Sequence, residues 1–261
     1  GTPVQARELT GLQSILQDQV EKFGTHFFKE GAKVIPGQLS YQDLFTGVTI
    51  DSDFAGIPLS LYVEQLIGKR FKGEQSGIEA KIEFVLSASE SAIGLNTLYF
   101  TITKSGTDFE SGDFVDGENL VLLESLSYGN TVISANQGFA TTSPLDCNIT
   151  GSAANIQDGV YFLRGNFVTV NAQTILLQQY ESMPTLKVGL SVREEIVNAD
   201  EDASLNDNAQ GFSNYAAPGA DRLRISAVLT SKIIADDDDP NFVELMRIQD
   251  GELETFVKNT D

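Results

Sequence analysis

Up to Gly31 the apolar residues of this chain recur every three or four positions; beyond it they recur every second position. That change of period admits one amphipathic helix followed by strands, and it sets the fold class before any other feature is read. From Gln5 to about Lys29 the stripe consists of Leu9, Leu12, Leu16 and Phe23, widened by Ile15 and Val20. Read as a heptad, Leu9, Leu12, Leu16 and Phe23 take the seam positions, with Gln19 as the polar break among them. Such a stripe has two uses. The commoner is a helix laid on its own domain; the other is a seam between subunits, in which one polar residue sets register and strand number. Two heptads are marginal alone, so either use needs support from elsewhere. Gly24 and Gly31 bracket the exit.

Past Gly31, Ile82–Leu86, Leu98–Thr103, Val121–Leu123 and Thr131–Ile133 read as strands, with a turn at Lys104-Ser105-Gly106-Thr107. Thr141-Thr142-Ser143-Pro144, and then Thr150-Gly151-Ser152-Ala153, read as loop or linker. A second series starts at Asp158-Gly159. Val160–Leu163 and Phe167–Val170 form a predicted hairpin around Arg164-Gly165-Asn166, with Gly-Asn supplying the positive φ of a tight turn. Thr174–Leu177, Leu186–Val192 and Arg222–Leu229 follow, then a hairpin of Phe242–Ile248 and Leu253–Val257. The predicted fold is mainly β with an N-terminal α-helix and two antiparallel β-rich domains, sandwich- or barrel-like. The expected division is 1–31 for the helix, 32–152 for the first domain and 153–261 for the second.

The chain carries 37 Asp and Glu against 17 Lys and Arg, a formal charge of −20 in 261 residues. A surface so negative repels nucleic-acid phosphates and anionic membranes, so neither is an expected partner. A hydrophobic content of 41% is that of a packed protein rather than an acidic disordered tail. Cys147 is the one cysteine, which excludes an intrachain disulfide and fits synthesis in a reducing cytoplasm. No apolar run is long enough to span a bilayer, so membrane insertion is not expected. Opening at Gly1 without Met, the chain reads as a piece of a longer polypeptide.

Sites of chemistry are sparse. His26 is the sole histidine, so histidine-based triads and His/Cys zinc sites lack their residues. No phosphate loop or dinucleotide fingerprint occurs. The best cation candidate places oxygen side chains at every second residue, Asp200, Asp202, Ser204, Asn206 and Asn208, a spacing that suits calcium. It departs from an EF-hand at Leu205, where a glycine permits the sharp turn, and at Gly211, where a bidentate Glu closes the shell. A solvated loop is the plainer reading, and the same holds for the run Asp236 to Asp239. Glycoside hydrolysis needs two carboxyls across a sugar cleft, usually with aromatic platforms. Trp is absent and nearly all the Phe fall inside apolar strand or helix patterns, so no catalytic residue is assigned.

Several stretches carry a resemblance: Pro3 to Thr10 running into Leu12 to Gln17, Phe27 to Gly31, Gly159 to Val168, and Asn208 to Arg222. They resemble tail-fibre or baseplate-associated virion structural proteins of tailed phages, best represented among myovirus-type cyanophages. The likeness is thin between about 40 and 150, and its most specific part is Ala217-Pro218-Gly219-Ala220-Asp221-Arg222-Leu223. The resemblance implies a non-enzymatic structural component made in the host cytoplasm and built into the virion. It further implies homotrimers, with other tail or baseplate proteins as partners and the helical seam as a bundle on the threefold axis. The alternatives are a module binding host-surface glycan, with calcium at an acidic loop, and a tailspike glycan hydrolase.

Overall fold

The computed structural model describes residues 6–35, 37–106, 112–179, 183–208, 210–211, 213, 215–236 and 239–256. The first half runs α1 (Ala6–Phe27), β1 (Lys33–Ile35), β2 (Leu39–Ile50), β3 (Asp53–Phe54), β4 (Ile57–Pro58), β5 (Arg70–Gly73), β6 (Glu79–Leu86), β7 (Asn96–Lys104), β8 (Asn119–Leu122), β9 (Leu126–Tyr128), β10 (Thr131–Ile133) and β11 (Gly138–Thr141). The second runs β12 (Asn148–Ile156), β13 (Gly159–Leu163), β14 (Asn166–Val170), β15 (Gln173–Gln178), β16 (Leu186–Val197), β17 (Arg222–Lys232), β18 (Phe242–Gln249) and β19 (Glu252–Phe256). The molecule is mainly β with one N-terminal helix, and the strands of its sheets pair antiparallel.

Eight strands form the largest sheet, in the order β11-β8-β5-β6-β7-β2-β12-β15; β17-β16-β18-β19 form a second, and β1-β13-β14 a third. One core lies on the β5–β8 side of the large sheet. There Phe71 stacks on Phe114 at 5.3 Å and meets Phe100 and Phe139 edge-on, the offset and T-shaped contacts aromatic rings prefer. A second core joins Leu39, Ala154 and Ile156 of the large sheet to Tyr161 and Val168 of the hairpin and to Val188, Leu190 and Ile248 of the four-stranded sheet. The expected division at 152/153 falls inside β12, which pairs with β2 on one side and β15 on the other.

Thr150-Gly151-Ser152-Ala153, read as linker, is thus part of a central strand, while residues 142–147 form the connection from β11 to β12. Ser152, Ala153 and Ala154 are fully buried, and a Cβ on Gly151 would stand 2.6 Å from the Gln178 carbonyl oxygen and 3.1 Å from the Tyr99 ring. Small residues are required there because neighbours press on the strand from several sides. The β13–β14 hairpin forms as read, but its positive φ falls on Arg164 (50°) and Gly165 (77°), one position earlier than expected.

Candidate functional site

At its C-terminal end α1 is clamped to the hairpin. Gly24 lies against the Phe162 ring so closely that a Cβ there would collide, and Phe28 packs on Phe162 and Phe167 at 5.8 and 5.6 Å. The chain leaving the helix pairs with β13, Gly31 N donating to Phe162 O and Phe162 N to Ala32 O, both at 2.9 Å. Arg164 at the hairpin tip extends the clamp. Its backbone N donates to the Glu30 carboxylate at 2.9 Å, and its guanidinium reaches Glu194 of β16 at 3.0 Å and Pro240 O at 3.2 Å.

The face that docks is not the apolar one. On a helical wheel Glu21 and Phe28 lie on the opposite side from Leu12, Leu16 and Phe23, with Gly24 at about a right angle to them, and the three apolar residues remain 64%, 63% and 60% exposed. Ile15, Val20 and Phe27 are exposed beside them, and Gln19 stands within the stripe. The side chain of Leu9 lies outside the described residues. A helix of 22 residues is about 33 Å long, and among the described residues this one is held near its base. Among the described residues, no part of the chain covers the stripe, so the commoner use, a helix lying on its own domain, does not occur among them.

A second feature opens on the large sheet. β2 and β7 pair only from Gly47/Tyr99 to Ile50/Asn96; beyond Tyr99, β7 follows β6 while β2 follows β12. The sheet curls across this parting until the end of β15 meets the β6–β7 connection. Tyr99 Oη donates to Gln179 O at 2.5 Å, Gln179 Nε2 to Glu90 O at 3.0 Å, and Ala92 N to Gln179 Oε1 at 2.7 Å. Phe45, Leu86, Tyr99 and Ala153 form an apolar plug with Phe84 and Leu176 packed on it. A cleft of about 670 Å³ lies over the plug, lined by polar residues of β2, β6, β7, β12 and β15 together with apolar ones, among them Phe45, Ile67, Phe84 and Ile156.

Reactive side chains are placed for structure. The thiol of Cys147 is fully buried, and burial, with Asp116 beside it, pushes its pKa up to about 12, so it stays protonated and unreactive. His26 is exposed with its ring edge-on to Phe27 at 5.2 Å. Glu118 is buried, but backbone N–H groups of Val115, Gln75 and Ser76 occupy its oxygens.

The acidic loops are likewise engaged. Asp202 Oδ1 caps the turn Ala203–Leu205 by accepting from Ser204 N at 3.0 Å, and hydrogen bonding from Ser204, its hydroxyl first and its backbone N second, holds the carboxyl below the usual range. Asp200 N donates to Asn198 Oδ1, and Asn206 bridges to Pro218 while Gly219 N donates to Leu205 O. Pro218 and Gly219 therefore fold back on the loop that holds Asp200, Asp202, Ser204, Asn206 and Asn208. Among the described residues no group of three or more His, Cys, Asp or Glu is arranged to hold a metal ion. In the second run Asp236 and Asp239 share Lys232 Nζ at 3.2 and 2.7 Å; Asp237 and Asp238 lie outside the described residues.

Residues 99–261 match the model of a family described as a domain of unknown function, DUF4815. The match spans more than half of the chain, from the point where β7 parts from β2 to the end, and the chain belongs to that family. No curated protein and no solved structure gives a significant match.

Proposed function

We propose that this family member is a non-enzymatic structural subunit that assembles with copies of itself through α1, three helices to a bundle. The exposed stripe on a helix anchored at its base carries this reading. Its apolar residues follow a heptad, and a seam of that kind is complementary to itself. Ile15, Val20 and Phe27 flank the seam positions, giving the wider face of a bundle rather than the narrow face of a two-stranded coil. Charge favours the same contact: the helix carries Arg7 and Lys22 against Glu8, Asp18 and Glu21, a net −1, in a chain of −20. Copies can therefore meet at α1 with less repulsion than elsewhere.

Magnitudes bear on how tight this is. Covering six such side chains, already partly shielded, supplies roughly 1–2 kcal/mol each. That total is comparable with the roughly 4–15 kcal/mol lost in freedom on association. The helix alone gives a trimer that dissociates on dilution, and neighbouring parts of a longer assembly would reinforce it. The resemblance read in the sequence supplies the setting: a tail fibre or baseplate-attached appendage of a phage virion, with other tail or baseplate proteins as neighbours.

Hydrogen exchange tests the assembly. Amides from Leu12 to Phe23 are expected to be protected in the full chain and to lose protection in a Leu12→Asp/Leu16→Asp variant, while β12 and β16 stay protected in both. Exchange of the wild-type helix within seconds at tens of micromolar would contradict it.

A further inference from the structure

The cleft over the Phe45–Tyr99 plug has walls of a particular chemistry. Ser40, Asn155 and Thr174 form a row across three adjacent strands, Asn155 standing opposite both of the others in register. Gln42 lies one step deeper, opposite Ala153. All four are half-buried. Among the described residues, none of these four side chains is engaged in a hydrogen bond within the chain, although nearby Gln173 is held by Ala227 O and Leu229 N. Half-burying two amides and two hydroxyls with their hydrogen bonds unspent costs stability unless solvent or a ligand completes them. Across the cleft stand the half-buried ring of Phe84 and the ion pair Lys81–Glu83 at 3.1 Å.

We propose that this cleft binds a short neutral oligosaccharide. The volume of about 670 Å³ lies within the roughly 300–1,000 Å³ typical of small-molecule sites. Each sugar hydroxyl both donates and accepts. The amides of Gln42 and Asn155 offer a donor and an acceptor side by side, which suits neighbouring hydroxyls, and the hydroxyls of Ser40 and Thr174 turn to serve either role. The C–H face of a sugar ring carries partial positive charge that matches the electron-rich face of Phe84. An apolar ligand would leave the polar row unpaired. An anionic one would meet Glu83 and the field of a chain at −20, with the one lysine of the cleft wall already neutralised. Occupancy requires no change in α1, so this site and the assembly stand or fall separately.

The test is to screen the intact chain against printed neutral and acidic glycans together with neutral Ser-Gly peptides, and to titrate the strongest hit by calorimetry. Expected are hits confined to neutral glycans, with affinity reduced about tenfold in Asn155→Ala and in Gln42→Ala. Both substitutions shorten a half-buried side chain that makes no hydrogen bond to the described residues and should leave the fold intact; should either fail to fold, Thr174→Val and Ser40→Ala carry the same expectation. The proposal is overturned by no neutral hit at tens of micromolar protein. It is equally overturned by hits restricted to acidic glycans or to peptides, or by affinity unchanged in folded variants.

Discussion

Glu118 has both carboxylate oxygens spent on main-chain donors: Val115 N at 2.8 Å, Gln75 N at 2.9 Å and Ser76 N at 3.0 Å. Burying a charge is costly unless hydrogen bonds replace its water, and here three do so while fastening two loops to the start of β8. Glu118→Ala strands those donors. At about 1–3 kcal/mol for each unsatisfied group, a loss of at least about 3 kcal/mol is expected in urea unfolding, with Glu118→Gln milder. Nothing in Asp116-Gly117-Glu118-Asn119 distinguishes this carboxylate from a solvated turn, because two of its three partners, the backbone N–H groups of Gln75 and Ser76, lie 43 and 42 residues away in the chain. Titration of buried groups gives a second expectation. Burial raises Tyr62, Tyr161 and Cys147 to about 12 from ordinary values of 10.0, 10.0 and 9.0. A raised folded-state pKa contributes stability that is whole below the unfolded value and is lost as pH climbs toward the folded one. On the acid side, backbone bonding to Cys147 holds Asp116 below 3.8, so its contribution is present above that pH and is lost as pH falls through the depressed value. Thermal melts from pH 3 to 11.5 should therefore show a plateau between about 5 and 9 with declines on both sides; a flat curve above pH 9.5 would contradict the buried phenols and thiol.

At the scale of elements, the sequence was legible wherever alternation was regular. The β13–β14 and β18–β19 hairpins are where Val160–Val170 and Phe242–Val257 placed them, up to the end of the described residues at 256. It was opaque at β2, whose partner β12 passes from Gly151 opposite Phe45 to Ala153 opposite Gln42; the extra residue around Asp43-Leu44 is a bulge that breaks the period of two. β12 was misread for another reason. A run of Gly, Ser and Ala is the composition of a linker, and it is also what a strand needs when Tyr99 and the end of β15 close upon it. Gly151→Ala separates the two meanings: a linker would tolerate it, whereas here the added methyl meets backbone and should cost about 1–3 kcal/mol in chemical unfolding. For α1 the stripe was readable but its use was not, since period alone cannot say which way a helix faces; the clamp of Gly24 and Phe28 on Phe162 decides that. For the candidate calcium residues the spacing was legible; the cap of Asp202 on Ser204 N is local, while the bridge of Asn206 depends on where Pro218-Gly219 returns.

At the scale of the whole molecule, a charge of −20 on each chain opposes both compactness and assembly, and a trimer would gather three such charges. Raising salt from about 0.02 to 0.5 M shortens the screening length to a few ångströms, so it should raise the melting temperature and tighten assembly together. A fall in either would mean that the surface ion pairs outweigh the repulsion. The measurement that bears most directly on self-assembly is light scattering on the full chain across a dilution series. Three copies of 28.3 kDa predict about 85 kDa at tens of micromolar, falling on dilution and absent in Leu12→Asp/Leu16→Asp. A constant mass of 28.3 kDa up to the highest concentration reached would contradict it.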